Sequence, residues 1–72
     1  MLDGVITEVE DISDEEFPDF RVHALIAGQM QVFRVWLRTY HNEWAVYGAD
    51  GHQYVSAFPT RSEAMAFIGR AA

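Results

Sequence analysis

The chain has 72 residues, half of them apolar, with five Phe, three Tyr, two Trp, no cysteine and a formal net charge of −6 at pH 7. At this length folding buries only about 60 to 65 per cent of the surface that the unfolded chain exposes, so residues 1–72 are expected to form one domain with an efficient core. Disulfides and thiolate zinc sites are excluded, no apolar run approaches the roughly 18 residues of a membrane span, and the negative charge opposes long-range attraction to nucleic acid or anionic lipid; the composition therefore predicts a soluble cytoplasmic protein that binds neither directly.

Val5 to Val9 alternates apolar and polar residues and reads as a short strand, with Val5, Thr7 and Val9 on one side and Ile6 and Glu8 on the other. The charge is unevenly distributed around it. Asp3, Glu8, Glu10, Asp11, Asp14, Glu15, Glu16 and Asp19 crowd the first twenty residues, whereas all the arginines lie further on and lysine is absent. Residues 10–19 read as an acidic loop. Ser13 and Glu16 have the spacing of a capping box, but Pro18 limits any helix there to about one turn.

Two alternating runs flank Gly28-Gln29, and glycine at the first central position suits a type II′ hairpin turn. That turn sets Arg21 opposite Trp36 and Asp19 opposite Arg38. Phe20, Val22, Ala24, Ile26, Phe33, Val35 and Leu37 then share a core face, while Arg21, His23, Leu25, Val32, Arg34, Trp36 and Arg38 share the opposite one. A second hairpin spans 43–58 with Asp50-Gly51 as a two-residue type I′ turn. It pairs Tyr47 with Tyr54, and places Trp44, Val46, Val55 and Ala57 on one face and Ala45, Tyr47, Tyr54 and Ser56 on the other.

Thr60 and Glu63 form a second capping box, after Pro59, and Ala64, Phe67, Ile68 and Ala71 follow at helical spacing. This predicts a helix of about ten residues, too short to persist unless its apolar stripe docks on the sheet. The expected fold is α+β: a small, mostly antiparallel sheet of four to five strands (two successive hairpins plus a short N-terminal strand) packed by one C-terminal helix.

No catalytic constellation emerges from these elements. His23 lies beside arginine in mid-strand, and His41, Glu43 and His52 meet at a metal only if opposite ends of the second hairpin come together. Ser13, Ser56 and Ser62 have no histidine and acid at a constraining spacing, and the glycines are scattered as turns rather than gathered into a phosphate loop. The expectation is no enzyme, no metal and no cofactor.

Binding is the remaining class. An acidic segment facing a basic partner protein is the leading expectation, with Asp11, Asp14, Glu15, Glu16 and Asp19 as its contact set. By size and charge alone, this describes an inhibitor or decoy that mimics nucleic acid, like the small phage proteins directed against host defence, including anti-CRISPR proteins. Arg21, Arg34, Trp36, Arg38, Tyr47 and Tyr54 make a secondary surface. That surface admits two alternatives: an aromatic sheet face that assembles a homodimer, or arginines with a stacking aromatic that hold nucleic acid. Some loop carboxylates are also expected to pair with Arg34 or Arg21 of the same chain.

Overall fold

The computed structural model describes residues Met1–Ala72. In chain order the elements are β1 (Gly4–Asp11), β2 (Asp19–Ile26), β3 (Gln29–Arg38), β4 (Glu43–Gly48), a 3₁₀ turn (Ala49–Gly51), β5 (Gln53–Phe58), α1 (Arg61–Ile68) and β6 (Gly69–Ala71). The fold is α+β, with a six-stranded mixed sheet ordered β5-β4-β3-β2-β1-β6 and one C-terminal helix. Every neighbouring pair is antiparallel except β1 with β6. No helix is long and apolar enough to cross a membrane.

The sixth strand corrects the expected count of four to five. α1 ends at Ile68 rather than running on to Ala71, and Gly69–Ala71 instead pairs in parallel with Gly4–Ile6. Glycine permits that pairing. A Cβ on Gly69 would collide with the backbone of Gly4, and one on Gly4 would lie 2.8 Å from the Ile68 carbonyl oxygen, so the two chains meet where neither has a side chain. At the other end of α1, the Thr60 hydroxyl accepts the Glu63 N–H at 3.1 Å and fixes the first turn.

The first hairpin turns at Ala27-Gly28, one residue earlier than expected. Both residues have positive φ, 51° and 78°, which is the type I′ geometry whose twist matches the flanking strands. The pairing consequently moves by two residues, with Phe20 opposite Val35 and Val22 opposite Phe33. A shift of two preserves the faces, because side chains alternate with period two. Arg21 stands opposite Arg34 rather than Trp36, and Asp19 stands opposite Trp36 rather than Arg38. Ala27 holds a left-handed conformation that disfavours an ordinary L-residue by about 1 to 2 kcal/mol. Ala27→Asn should therefore raise stability by about 1 kcal/mol, measured as a higher denaturant midpoint at unchanged slope.

Two bulges revise the other faces. The register of β1 on β2 shifts between Ile6 and Glu8, so Ile6 and Val9 both face the helix while Val5, Glu8 and Glu10 lie on the far side. In the second hairpin Tyr47 pairs with Tyr54 as expected, but an extra residue at Val55 then sets Val46 opposite Ser56 and Trp44 opposite Phe58. Ser56 thereby takes the helix side in place of Val55 and Ala57, and Phe58 reaches Phe67 of α1 with ring centroids 5.1 Å apart.

The core lies between the helix and one sheet face: Val22, Ala24, Phe33, Val35, Val46, Ala64 and Ile68 are buried, with Leu2, Ile6, Phe20, Trp44, Phe58 and Phe67 packed around them. The opposite face carries no helix. It is this open face, together with the loops at its end, that positions the candidate functional residues.

Candidate functional site: an acidic hairpin tip beside an ion-paired sheet face

The acidic segment is an ordered hairpin tip. Asp14 and Phe17 exchange backbone hydrogen bonds at 3.1 and 3.3 Å, so the chain reverses at Glu15-Glu16. No helical turn forms at Ser13; its hydroxyl instead accepts the Asp19 N–H at 3.0 Å and ties off the base of the loop. The Ile12 N–H also donates to the Asp19 carbonyl oxygen, and the Pro18 carbonyl oxygen accepts the Leu37 N–H at 3.1 Å, which fastens the tip alongside β3.

The five contact residues expected from the sequence divide into two groups. Asp19 points to the open face, where it forms a two-pronged ion pair with Arg34 through Nε and Nη2. Asp11 accepts the Ser13 N–H at 3.0 Å, and Asp14 accepts the Glu15 N–H at 2.9 Å. Glu15 and Glu16 have no side-chain partner in the chain, and Asp11, Asp14, Glu15 and Glu16 are all exposed without an arginine in salt-bridge contact.

On the open face the charges are connected. Arg21 lies directly opposite Arg34, an arrangement that repels, yet Asp50 reaches back from the β4–β5 loop to within 3.0 Å of Arg21 Nε and 3.9 Å of Arg34 Nη1. Arg21 also holds Glu10 at 3.1 Å, so Glu10, Arg21, Asp50, Arg34 and Asp19 form one alternating chain across the sheet. The second hairpin departs from a two-residue turn at this same loop. Ala49, Asp50 and Gly51 all take positive φ, and Gly48 pairs with Gln53 across a longer loop folded toward the arginines.

Arg38 pairs with Glu43 at 3.6 Å. All three arginines of the secondary surface are therefore matched by carboxylates, which leaves no bare cationic strip for phosphates. Arg21 does not meet Trp36; the guanidinium that lies over a ring is that of Arg61, whose central carbon is 4.8 Å from the Phe20 ring centre. Trp36, Tyr47 and Tyr54 run in a row along the same open face, with centroids 6.0 and 5.5 Å apart. Between Asp19, Arg34, Trp36, Tyr47, Asp50 and His52 lies an open cleft of about 400 Å³.

The β1 bulge also gathers Glu8, Glu10 and His23, whose ligand atoms lie within 4.8 Å of one another. His23 Nε2 is 3.0 Å from one Glu10 oxygen, and Arg21 occupies the other. Glu10 is thus engaged on both oxygens, by His23 and by Arg21, while Glu8 is exposed. His41 lies at the β3–β4 turn and His52 at the β4–β5 loop, at opposite ends of β4, so the structure does not bring those two together with Glu43.

The pairing has a pH signature. Hydrogen bonds from His23 and then Arg21 hold the Glu10 carboxyl below its ordinary range, Ser13 does the same for Asp11, and Arg21 for Asp50. Each folded-state value lies below the unfolded one, so in acid the unfolded chain binds more protons. The stabilisation is present at neutral pH, begins to fade as pH drops through the ordinary carboxylate range near 4, and is lost as pH falls through the depressed values. Acid unfolding of Glu10→Gln should show a shallower dependence of stability on pH below about 5 than the unmodified chain.

Three contributors escaped the sequence reading. Asp50 became important only through a loop that folds over distant strands. Phe17 and Tyr40 are aromatic residues standing at the acidic end, 48% and 101% exposed. A signal for Phe17 was present, an aromatic isolated among carboxylates and outside any alternating run. Comparison with protein-family models, with curated proteins and with solved structures gave no match.

Proposed function

We propose that the chain is a small, non-catalytic protein-binding module whose acidic hairpin tip engages a cationic protein, acting as an inhibitor or decoy at a surface that otherwise handles nucleic acid. The observation that carries this reading is the division of charge. Arg21, Arg34 and Arg38 are matched within the open face by Glu10, Asp19, Asp50 and Glu43, whereas Asp14, Glu15 and Glu16 project together from the tip without a basic partner. An unneutralised negative tip on a compact body accelerates encounter with a positive surface and disfavours partners of its own sign. The kinship with anti-CRISPR and other phage anti-defence proteins is one of size and charge.

Reversing the three charges together, as Asp14→Arg, Glu15→Arg and Glu16→Arg, should weaken association with the cationic partner by at least about a hundredfold at low salt, because close charge pairs couple strongly across interfaces. The tip lies outside the core, so the folded state should survive. Unchanged binding by a folded triple variant would refute the proposal.

A second reading rests on a different observation: no helix covers the face holding Trp36, Tyr47 and Tyr54, which suits a homodimer assembled face to face. Sedimentation at millimolar concentration distinguishes the readings, since this one requires a dimer and a monomer there excludes it.

A further inference from the structure

Glu8, Glu10 and His23 meet on the open face because β1 carries one inserted residue. Ile6 stands opposite Ala24, and regular pairing would continue with Thr7 opposite His23 and Glu8 opposite the buried Val22. The bulge sets Glu8 opposite His23 instead, and the Thr7 hydroxyl donates to the His23 carbonyl oxygen at 3.3 Å, which pins the extra residue to β2. Glu10, two residues further along β1, falls on the same side and reaches His23 Nε2 at 3.0 Å. Two strands thus aim two carboxylates and an imidazole at one point.

We propose that this trio binds a first-row divalent transition cation of the zinc type, held by one oxygen of Glu8, one oxygen of Glu10 and His23 Nε2. The three ligand atoms lie within 4.8 Å of one another. Ligand atoms about 2.1 Å from a shared ion and about 90 to 110° apart are separated by about 3.0 to 3.4 Å, so the Glu10–His23 spacing fits as it stands. Glu8, exposed and in no ion pair, closes the remaining distance. The nitrogen donor is what separates this group from a patch of carboxylates: imidazole suits zinc, copper and nickel, whereas magnesium and calcium take oxygen shells. Arg21 engages the Glu10 oxygen that His23 leaves free, at 3.1 Å, and ligating carboxylates are ordinarily hydrogen-bonded in this way from outside the ligand shell. Binding exchanges the Glu10–His23 hydrogen bond for two bonds to the metal, with Nε2 presenting its lone pair and the ring proton on Nδ1. Three protein ligands leave at least one position of the ion open to solvent. The site shares no residue with the acidic tip, so it stands or falls separately from that reading.

The experiment titrates the full chain with Zn²⁺, followed by calorimetry and by melting temperature. The parent should bind a single ion saturably, melt at a higher temperature with it, and retain it against about a hundredfold excess of Mg²⁺. His23→Gln and Glu8→Gln should each weaken Zn²⁺ binding by at least about tenfold, the lower end of what losing even an outer-shell partner costs. Glu8→Gln keeps the size of an exposed side chain outside every ion pair, so its metal-free melting curve should match the parent's, and weaker binding there is not a loss of fold. His41→Gln and His52→Gln should bind Zn²⁺ as the parent does. The proposal is overturned if Zn²⁺ binding is not saturable, if Mg²⁺ displaces it at equal concentration, or if its affinity is unchanged in Glu8→Gln or in a folded His23→Gln.

Discussion

Ile68→Ala should cost about 2 to 5 kcal/mol of folding stability, read as a fall in denaturant midpoint at unchanged slope. Ile68 is fully buried, is among the largest such side chains, and closes the helix onto Val22, Val35 and Val46 of the sheet. The core around it is thin, one short helix on one face, so its neighbours have little freedom to collapse into the space left behind. A chain of this size holds only about 4 to 11 kcal/mol in total, so the variant should melt at least about 10 °C lower and be partly unfolded at 37 °C if the parent lies at the low end. A cost below about 1 kcal/mol would mean that the helix is not seated on this core.

Gly69→Ala is the second large effect, and its origin is steric rather than hydrophobic. The φ of Gly69 is 166°, extended backbone open to any residue, so the substitution tests only the space beside it. That space is filled by Gly4: the added methyl group would overlap the Gly4 backbone, and β6 would have to leave β1. The expected cost is about 1 to 3 kcal/mol. Amide exchange gives the more specific readout, because the Ala72 N–H donates to the Ile6 carbonyl oxygen and the Leu2 N–H to that of Phe67, and both should lose protection. Gly48→Ala is the control. Its Cβ would meet its nearest neighbour, Val55, at an ordinary 3.6 Å, so protection at Leu2 and Ala72 should be unchanged.

These two residues also mark where the sequence was readable and where it was not. The Thr60 cap and the apolar spacing through Ile68 announced the helix, because both signals are local. The three residues of β6 announced nothing: Gly-Arg-Ala has no strand character, and its pairing depends on a backbone approach to Gly4 across most of the chain. Faces fared better than registers. Moving the first turn from Gly28-Gln29 to Ala27-Gly28 altered every partner of β2 yet kept Phe20, Val22, Phe33 and Val35 together, since a slip of two residues leaves the alternation intact. The bulges at Thr7 and Val55 are single insertions, and each exchanged the faces beyond it.

The candidate site was legible in its charge and in the expectation that loop carboxylates pair with Arg34 or Arg21, as Asp19 and Glu10 do, but not in which residue takes which partner. The run from Asp11 to Glu16 could be read directly as a surplus of negative charge. That Asp19 would be spent on Arg34, and that Asp50 would settle the repulsion between Arg21 and Arg34, required the turn geometry of two hairpins at once. Internal pairing narrows the exposed acidity to the tip, and only the folded chain sets Phe17 and Tyr40 around one cleft beside it.

The most direct test of an acidic tip directed at a cationic protein is affinity capture from the source cell with the parent chain and with the tip-reversed triple variant, each at about 50 mM and about 500 mM salt, where screening lengths differ about threefold. The account predicts a captured protein of basic charge, retained by the parent at low salt, released at high salt and not retained by the variant. A partner held equally by both chains and indifferent to salt would contradict it.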